Sequence, residues 1–254
     1  MCLILFAYHV HPTYKLIVAA NRDEFYQRPT EPAHLWEDKP FILAGRDLEK
    51  MGTWMGVTKK GRFSALTNYR DPREFSLNLR SRGELVADAL QSQDHLHTYM
   101  KQLMTKKEQY PGFNLLAGDL HQLYYYSNKN DRIHTLKPGI YGVSNHLLDT
   151  EWPKVQKGKT GLSAIIAKQE GDMVEELFTL LQDSDHAPDH LLPNTGVPLD
   201  IERMLSAMYI KSDDYGTRSS TVIRMTEAEI SFHERMFNSE GTKNQEYTIQ
   251  IEQD

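Results

Sequence analysis

Short apolar runs, separated by polar segments with turn residues, fill the first third of the chain. Residues 3–8 and 14–20 form two such runs on either side of a polar segment, a pattern that predicts a β-hairpin. Three further strands are predicted, at 41–47, 54–57 and 62–67. Prolines make the segment between the hairpin and the third strand extended and rich in turns. The first third is therefore expected to be antiparallel sheet.

Apolar residues recur at helical spacing in later regions. Ser-Arg-Gly-Glu at 81–84 matches a capping box, and the predicted helix that follows has its apolar residues on one face. Further helices are predicted at 96–104, within 152–181 and at 201–208. The remaining apolar stretches predict strands at 113–117, 123–126, 133–136, 140–143, 221–225, 229–232 and 247–251.

The order of these elements is strands, helices, strands, helices and strands. This order favours a mixed α+β fold in which two mainly antiparallel sheets face each other and helices cover their outer faces. No linker or internal repeat interrupts the chain, so residues 1–254 are expected to form a single domain.

Composition and charge narrow the class of protein. The chain has 29 basic and 35 acidic residues without long runs of either sign, which argues against nucleic acid as the main partner. A single cysteine excludes an intramolecular disulfide and suits a reducing compartment. The first apolar run is too short to span a bilayer and lacks the basic flank of a signal peptide. We therefore expect a cytoplasmic protein with no membrane span.

Cys2, the only cysteine, lies at the start of the first apolar run. Removal of Met1 would leave one residue with both a thiol and a free α-amine, and the amine can accept the thiol proton. Taken by itself, a cysteine here is more often a small apolar residue that packs a strand. The predicted hairpin adds to the catalytic interpretation, because it returns the polar residues 21–24 toward Cys2.

Four predicted strands have a polar cluster at one end, at 21–24, 68–70, 144–145 and 217–218. A thiol that attacks an amide or ester needs donors for the oxyanion, a carboxylate for the ammonium and a cation that depresses the thiol pKa. Asparagine amides, Asp23 and Arg218 are of these types. As isolated features, residues 21–24 also fit a polar turn and Arg218 a surface position. Histidine pairs at 9/11, 95/97 and 186/190 lack a third ligand at a known spacing, so neither a metal nor another cofactor is expected.

Motifs spread over nearly the whole chain form one specific set. They are Met1-Cys2, Asn-Arg-Asp-Glu-Phe at 21–25, and the segments at 43–47, 52–57, 65–70, 141–145 and 214–221. Together they resemble the NRDE family, which is also called the transport and Golgi organisation 2 family. More distantly, the layout is similar to N-terminal-nucleophile hydrolases of the penicillin V acylase and bile salt hydrolase type, whose fold is a four-layer αββα sandwich.

The resemblance also implies roles for individual residues. It assigns Cys2 as nucleophile, Asp23 at the α-amine, Asn145 as oxyanion-hole residue, Asn68 as second active-site asparagine and Arg218 as late active-site arginine, with Asn21, Arg22 and Arg70 in support. One position departs from the pattern. The hydrolases have an arginine three residues before the aspartate, where this chain has Ala20, and Arg22 comes two residues later. That shift is expected to place the guanidinium on a different face of the strand.

Two functions from different classes follow from these residues and the resemblance. The first is an N-terminal-cysteine amidohydrolase or acyltransferase that cleaves a non-peptide C–N bond of a small acylated substrate through a Cys2 thioester. The alternative is a non-catalytic carrier of haem or an acyl-CoA-like lipid, since the resemblance associates some family members with haem or lipid handling. The expected partner is a small acyl compound rather than nucleic acid, and self-association as a homo-oligomer is left open.

Overall fold

Two antiparallel sheets form the centre of the computed structural model, which describes residues 2–74, 79–168, 171–238 and 241–252. The strands are β1 (Cys2–Tyr8), β2 (Leu16–Phe25), β3 (Thr30–Trp36), β4 (Lys39–Asp47), β5 (Met55–Thr58), β6 (Phe63–Asn68), β7 (Phe113–Gly118), β8 (Leu123–Ser127), β9 (Arg132–Thr135), β10 (Gly139–Val143), β11 (Tyr215–Met225), β12 (Glu229–Asn238) and β13 (Gly241–Gln250). The α-helices are α1 (Gly83–Gln91), α2 (Leu96–Met104), α3 (Pro153–Ile166), α4 (Met173–Leu181) and α5 (Leu199–Ser206).

The strand order explains how distant parts of the sequence meet. Within the described residues, one sheet has the order β10-β1-β2-β11-β12-β13 and the other runs from β3 to β9 in sequence order. The chain thus starts in the six-stranded sheet, builds the seven-stranded sheet and then returns to the first. Because β1, β2 and β11 are central neighbours, the polar segments near residues 2, 22 and 218 lie side by side.

Four layers result from the packing of these elements. One apolar core fills the space between the sheets and includes Phe6, Val57 and Phe232. A second core packs α1 and α2 on the outer face of the seven-stranded sheet, and a third packs α3 and α4 on the outer face of the six-stranded sheet. Burial of apolar surface in these layers is the main stabilising force. The predicted α+β sandwich of two mainly antiparallel sheets with helices outside is confirmed.

β2 and β11 are longer than their apolar runs. The predicted strands covered residues 14–20 and 221–225, but the ladder between β2 and β11 extends from the Leu16–Met225 pair to the Phe25–Tyr215 pair. The additional polar residues are mostly buried within the sheet instead of forming turns at its edge. Their hydrogen bonds to other elements make this burial tolerable, since a buried polar group without a partner costs about 1–3 kcal/mol.

Two local predictions were wrong. The segment predicted as extended and rich in turns contains the strand β3, which tolerates Pro32 because it is an edge strand of its sheet. The capping box at 81–84 does not form: α1 begins at Gly83, its N-cap Arg82 makes no side-chain cap bond, and Glu84 instead pairs with Arg80 at 2.6 Å. The ion pair removes the carboxylate that the capping box requires.

Candidate active site

Cys2, the first residue of β1, lies directly opposite Arg22 of β2. Side chains of directly paired residues in antiparallel strands are on the same face of the sheet. The next pair on that face is Ile4 and Ala20, and both belong to the core between the sheets. The thiol and the guanidinium therefore share the face that packs against the second sheet.

The expected change of face for the arginine was wrong. Residues 20 and 22 differ by two positions, and side chains alternate along a strand with a period of two, so they lie on the same face. Ala20 and Arg22 both line a small cavity beside Cys2. The guanidinium lies over the ring of Trp54, with 4.1 Å between its central carbon and the ring centroid.

Trp54 has a fixed position because β4 leaves room for it at Gly45. A Cβ atom added to Gly45 would overlap the indole ring and would also approach the Glu31 carbonyl oxygen to 3.2 Å. Close approach of this kind is one of the positions in which only glycine fits. Gly45 and Trp54 therefore form the support for Arg22.

Asp23 projects from the other face of β2 and is fully buried. Its Oδ1 accepts a 2.7 Å hydrogen bond from the Thr217 hydroxyl on β11. Burial raises the pKa of Asp23, whereas the positive charges of the amino terminus and of Lys154 lower it. That terminus is the α-amine of Met1, and the amine that the catalytic interpretation requires would form on Cys2 only after Met1 is removed.

The pKa of the Cys2 thiol is raised, whereas the sequence predicted a lowered value. Burial raises the pKa of the Cys2 thiol and outweighs the opposing charges of the amino terminus and Arg22, while Asp23 adds to the increase. A buried thiol with a carboxylate nearby disfavours the thiolate. The thiolate is therefore disfavoured, and a base must remove the proton as the sulfur attacks.

A cavity of about 240 Å³ opens beside Cys2. Its lining includes Arg22, Asp23 and Asn68 from the ends of β2 and β6, together with the segment 79–83 before α1. No described residue takes a hydrogen bond from the side-chain amide of Asn68, although its backbone lies in the β6–β7 ladder and its carbonyl accepts from Asn145 at 3.0 Å. The Asn68 amide is therefore available to a ligand in this cavity.

Asn145 lies behind Asn68 and does not line this cavity. It is fully buried, its Nδ2 donates to the Asn68 carbonyl at 3.0 Å, and its Oδ1 accepts from the Ser144 hydroxyl at 3.3 Å. The Asn145 carbonyl in turn accepts the Arg70 amide N–H at 2.8 Å. These bonds hold Asn145 against the backbone of Asn68, and its role as the oxyanion-hole residue stays a prediction.

Arg218 also lies outside the lining of the cavity. It occupies a bulge between Thr217 and Ser219 of β11, and its guanidinium donates to the carbonyls of Phe25 at 2.8 Å and Arg28 at 3.0 Å. β-Bulges redirect side chains in this way. Arg218 therefore holds the turn after β2, and Arg28 of that turn lines the cavity.

Asn21 and Arg70, predicted as supporting residues, are engaged elsewhere. Asn21 donates to the carbonyls of Leu181 and Met208 at 2.8 Å each, so it ties β2 to the ends of α4 and α5. Arg70 donates to Glu202 at 2.7 Å in a buried ion pair. Neither residue lines the cavity beside Cys2.

Sequence reasoning missed Arg82, a cavity residue in the segment before α1. Its Nη1 donates to the Gly112 carbonyl at 3.0 Å, and burial lowers its pKa. Because residues 81–84 matched a capping box, Arg82 was interpreted as part of a helix start and not as a site residue. Thr217 was part of the predicted polar cluster at 217–218 but was given no role of its own.

Glu234 of β12 is a buried carboxyl group between the sheets, and it accepts the Ala33 amide N–H at 2.6 Å. Burial raises the pKa of Glu234 to about 7, above the value near 4.3 of an unfolded chain. The folded protein thus binds the proton more strongly, and the stability that this contributes is lost as pH rises toward 7.

Glu234→Gln should remove this pH dependence, because glutamine keeps the acceptor for Ala33 and does not ionise. Between about pH 5 and 7 the free energy of unfolding of the native protein should fall relative to the variant by about 1.4 kcal/mol per pH unit. Urea unfolding at several pH values measures the difference. Parallel pH profiles for the two proteins would contradict the prediction.

No three His, Cys, Asp or Glu side chains among the described residues are grouped in a way that could hold a metal ion. No helix in the described part of the chain is both long and apolar enough to cross a membrane.

The fold and the site define the protein class as an α+β sandwich with a cysteine at the start of a central strand, next to a buried aspartate and a cavity. Within that class, the chain belongs to the Transport and Golgi organisation 2 family, which matches residues 1–239. The NRDE resemblance found from the motifs is therefore confirmed.

Several animal proteins are similar to this chain over nearly its whole length. The Transport and Golgi organization protein 2 homolog of Bos taurus is 38% identical over 266 residues, which cover 96% of each chain. The Homo sapiens homolog is 34% identical and covers 98% of this chain and 100% of its own length. The Drosophila melanogaster protein is 29% identical, and the match covers 92% of this chain and 90% of that protein.

Solved structures with some similarity include two hydrolases. The Caenorhabditis elegans N-acylethanolamine-hydrolyzing acid amidase ortholog is 9% identical with a TM-score of 0.48, and covers 87% of this chain and 92% of its own. A C2A mutant of conjugated bile acid hydrolase from Clostridium perfringens is 6% identical with a TM-score of 0.45. The match covers 100% of this chain and 97% of the hydrolase chain. Similarities of this size carry no argument about activity.

Proposed function

We propose that this protein is an N-terminal-cysteine amidohydrolase or acyltransferase, in which Cys2 forms a thioester with a small acyl group. The observation that carries the proposal is the grouping at the end of β1. Cys2 shares a cavity with Arg22, Asp23 and the unengaged amide of Asn68. These are the groups that thiol attack on a carbonyl requires.

The reaction starts when Met1 has been removed and Cys2 has a free α-amine. Cys2 Sγ attacks the carbonyl carbon while the thiol proton passes to the α-amine, whose ordinary pKa of about 8 suits this transfer. The ammonium then gives the proton to the leaving nitrogen as the C–N bond breaks, which leaves a thioester. Water, or an acceptor amine or thiol, attacks the thioester and releases the acyl group with the thiol restored.

Asp23 and Asn68 have different roles in this scheme. Asp23 stabilises and orients the ammonium that forms during attack, and Thr217 fixes the carboxylate. Asn68 donates to the negative charge on the former carbonyl oxygen, and Asn145 holds the Asn68 backbone from behind. The first role applies to the free nucleophile, whereas the second applies only after a carbonyl has been attacked.

The cavities favour this function over a carrier of haem or an acyl-CoA-like lipid. About 240 Å³ beside Cys2 is below the roughly 300–1,000 Å³ typical of sites for larger ligands. A cavity of about 710 Å³ between β3, β4 and β13 is large enough, but its lining has Glu31, Glu37 and Asp38 against one arginine, Arg46, which already pairs with Asp38 at 2.6 Å. The two remaining carboxylates repel the propionates of haem and the phosphates of an acyl-CoA.

The test uses two variants and two measurements. Asp23→Asn should slow alkylation of Cys2 by iodoacetamide, because the amine base is no longer held. Asn68→Ala should leave alkylation nearly unchanged and lower turnover of an acyl amide or thioester by about a hundredfold, the effect of one oxyanion donor. Intact mass spectrometry first establishes that Met1 is absent from the protein used.

The control is Asn130→Ala, which removes an exposed asparagine from the turn between β8 and β9. It should change neither alkylation nor turnover. Retention of Met1 in the protein isolated from its natural source would contradict the proposed base. Equal alkylation of native protein and a folded Asp23→Asn variant would contradict the role of the carboxylate.

A further inference from the structure

The cavity beside Cys2 contains more positive than negative side chains. Five cationic residues and three carboxylates line it, and the members are Arg22, Arg28, Lys50, Arg80, Arg82, Asp23, Glu24 and Asp47. An excess of one sign in a concave site concentrates ligands of the opposite charge. The question is which of the cations are already neutralised by the protein.

Two of the arginines have carboxylate partners. Arg28 pairs with Asp47 at 2.6 Å and with Glu49 at 3.1 Å. Arg80 pairs with Glu84 at 2.6 Å. Their charges are therefore matched within the protein, and they attract a further anion only weakly.

Arg22 has no such partner. It is 5% exposed, its Nη1 is buried without a hydrogen-bond partner, and no described residue accepts a hydrogen bond from any part of its guanidinium. The charges of Glu24 and Asp47 act on it without forming an ion pair, and its guanidinium lies over the Trp54 ring. A buried guanidinium in this condition is costly, and an anion that pairs with it would recover much of that cost.

Arg82 is the second cavity arginine without a carboxylate partner among the described residues. It forms no ion pair with a described residue and donates only to the neutral Gly112 carbonyl. Burial lowers the pKa of Arg22 against the charges of Glu24, Cys2 and Asp47, and lowers the pKa of Arg82 against those of Glu74, Glu24 and Cys2. Asp47 and Glu74 each pair with another cation, Arg28 and Lys129. Both arginines therefore lie near the thiol, and neither forms an ion pair with a described carboxylate.

We propose that the acyl substrate of this site has an anionic oxygen group, a carboxylate or a phosphate, that binds to the guanidinium groups of Arg22 and Arg82. This inference rests on the proposed function, because it describes the substrate of the same cysteine. Arg22 pairs across the ladder with Cys2, and directly paired Cβ atoms are about 4.5–5.5 Å apart. The anionic group is therefore expected to bind beside the carbonyl that is attacked.

The test compares two alkylating reagents of similar size and different charge. Cys2 is the only cysteine, so iodoacetate and iodoacetamide both report on this site alone. Relative to the rate ratio measured with N-acetylcysteine, the native protein should prefer the anionic iodoacetate by about tenfold or more, and added NaCl should reduce the preference. No preference over the free thiol would overturn the proposal.

Variants show which residues cause the preference for iodoacetate over iodoacetamide. Arg22→Gln and Arg82→Gln should each lower it by at least about threefold, whereas the matched control Arg80→Gln should keep it, because Glu84 already neutralises Arg80. If Arg22 only stabilises the thiolate, Arg22→Gln will slow both reagents equally and leave the ratio unchanged, which would overturn its part in the site. Arg82→Gln gives an independent test if Arg22→Gln fails to fold by circular dichroism.

Protection experiments separate the two kinds of anion. Acetate and inorganic phosphate are each added before iodoacetamide, and slower alkylation shows occupation of the cavity. Protection by acetate alone identifies a carboxylate, and protection by phosphate alone identifies a phosphate. Protection by neither would overturn the proposal. Alkylation needs no turnover, so an anion preference in a protein without acyl turnover would sink the proposed function and keep the anion site.

Discussion

Cys2→Ala should lower acyl turnover by at least about a thousandfold while the protein stays folded. Loss of a nucleophile that acts together with its base removes nearly all covalent catalysis, and in well-studied hydrolases the cost reaches about a millionfold. Stability should change little, because the thiol is a small group and Cys2 is the first residue of its strand. Release of amine from a panel of acyl amides measures turnover, and urea unfolding measures stability.

Alanine is also small enough to permit removal of Met1, so the variant keeps the α-amine and loses only the thiol. A Cys2→Ala variant with unchanged turnover would rule out a thioester on this residue. A native protein without activity on any acyl amide or thioester in the panel would contradict the proposed function itself.

Arg70→Met should lower the free energy of unfolding by about 3–5 kcal/mol. The Arg70 and Glu202 side chains are 3% and 4% exposed and form an ion pair at 2.7 Å. Glu202 also accepts from the Thr195 amide at 2.9 Å and from its hydroxyl at 2.5 Å. Removal of the arginine leaves a buried carboxylate without its counter-ion, and this is the costly way to break such a pair.

A matched control lies on α5, the helix that carries Glu202. Arg203 of α5 pairs with Asp189 at 2.6 Å, but these side chains are 45% and 54% exposed. Arg203→Met should therefore cost at most about 1 kcal/mol, as is usual for exposed pairs. Equal losses of stability in the two variants would show that the burial of Arg70 and Glu202 has no energetic consequence.

The arrangement of sheets and helices could be predicted because it depends on local patterns. Alternating apolar runs and short turns identified nearly every strand, and one hairpin was enough to bring residues 21–24 toward Cys2. The helices were found from their apolar faces. Polar strand ends correctly marked the region of the candidate site, since Cys2, Arg22, Asp23 and Asn68 line one cavity.

What could not be predicted depends on contacts between distant residues. Asn21 and Asp23 have similar polarity and lie on the same face of β2, yet Asn21 bonds to carbonyls some 160 and 187 residues away, whereas Asp23 reaches the cavity. Arg218 is turned away by a bulge that has no sequence signal of its own. Arg82 lines the cavity only because residues 79–82, before α1, and Asn68, at the end of β6, meet there.

Gly45 illustrates how the site extends beyond the residues that line it. Any side chain at this position would displace the indole of Trp54, and with it the platform on which Arg22 rests. A substitution there would alter the charge next to the thiol without touching the cavity. In the interpretation of sequence variants, Gly45 should therefore be grouped with the active-site residues, although it lies on β4 and has no functional group.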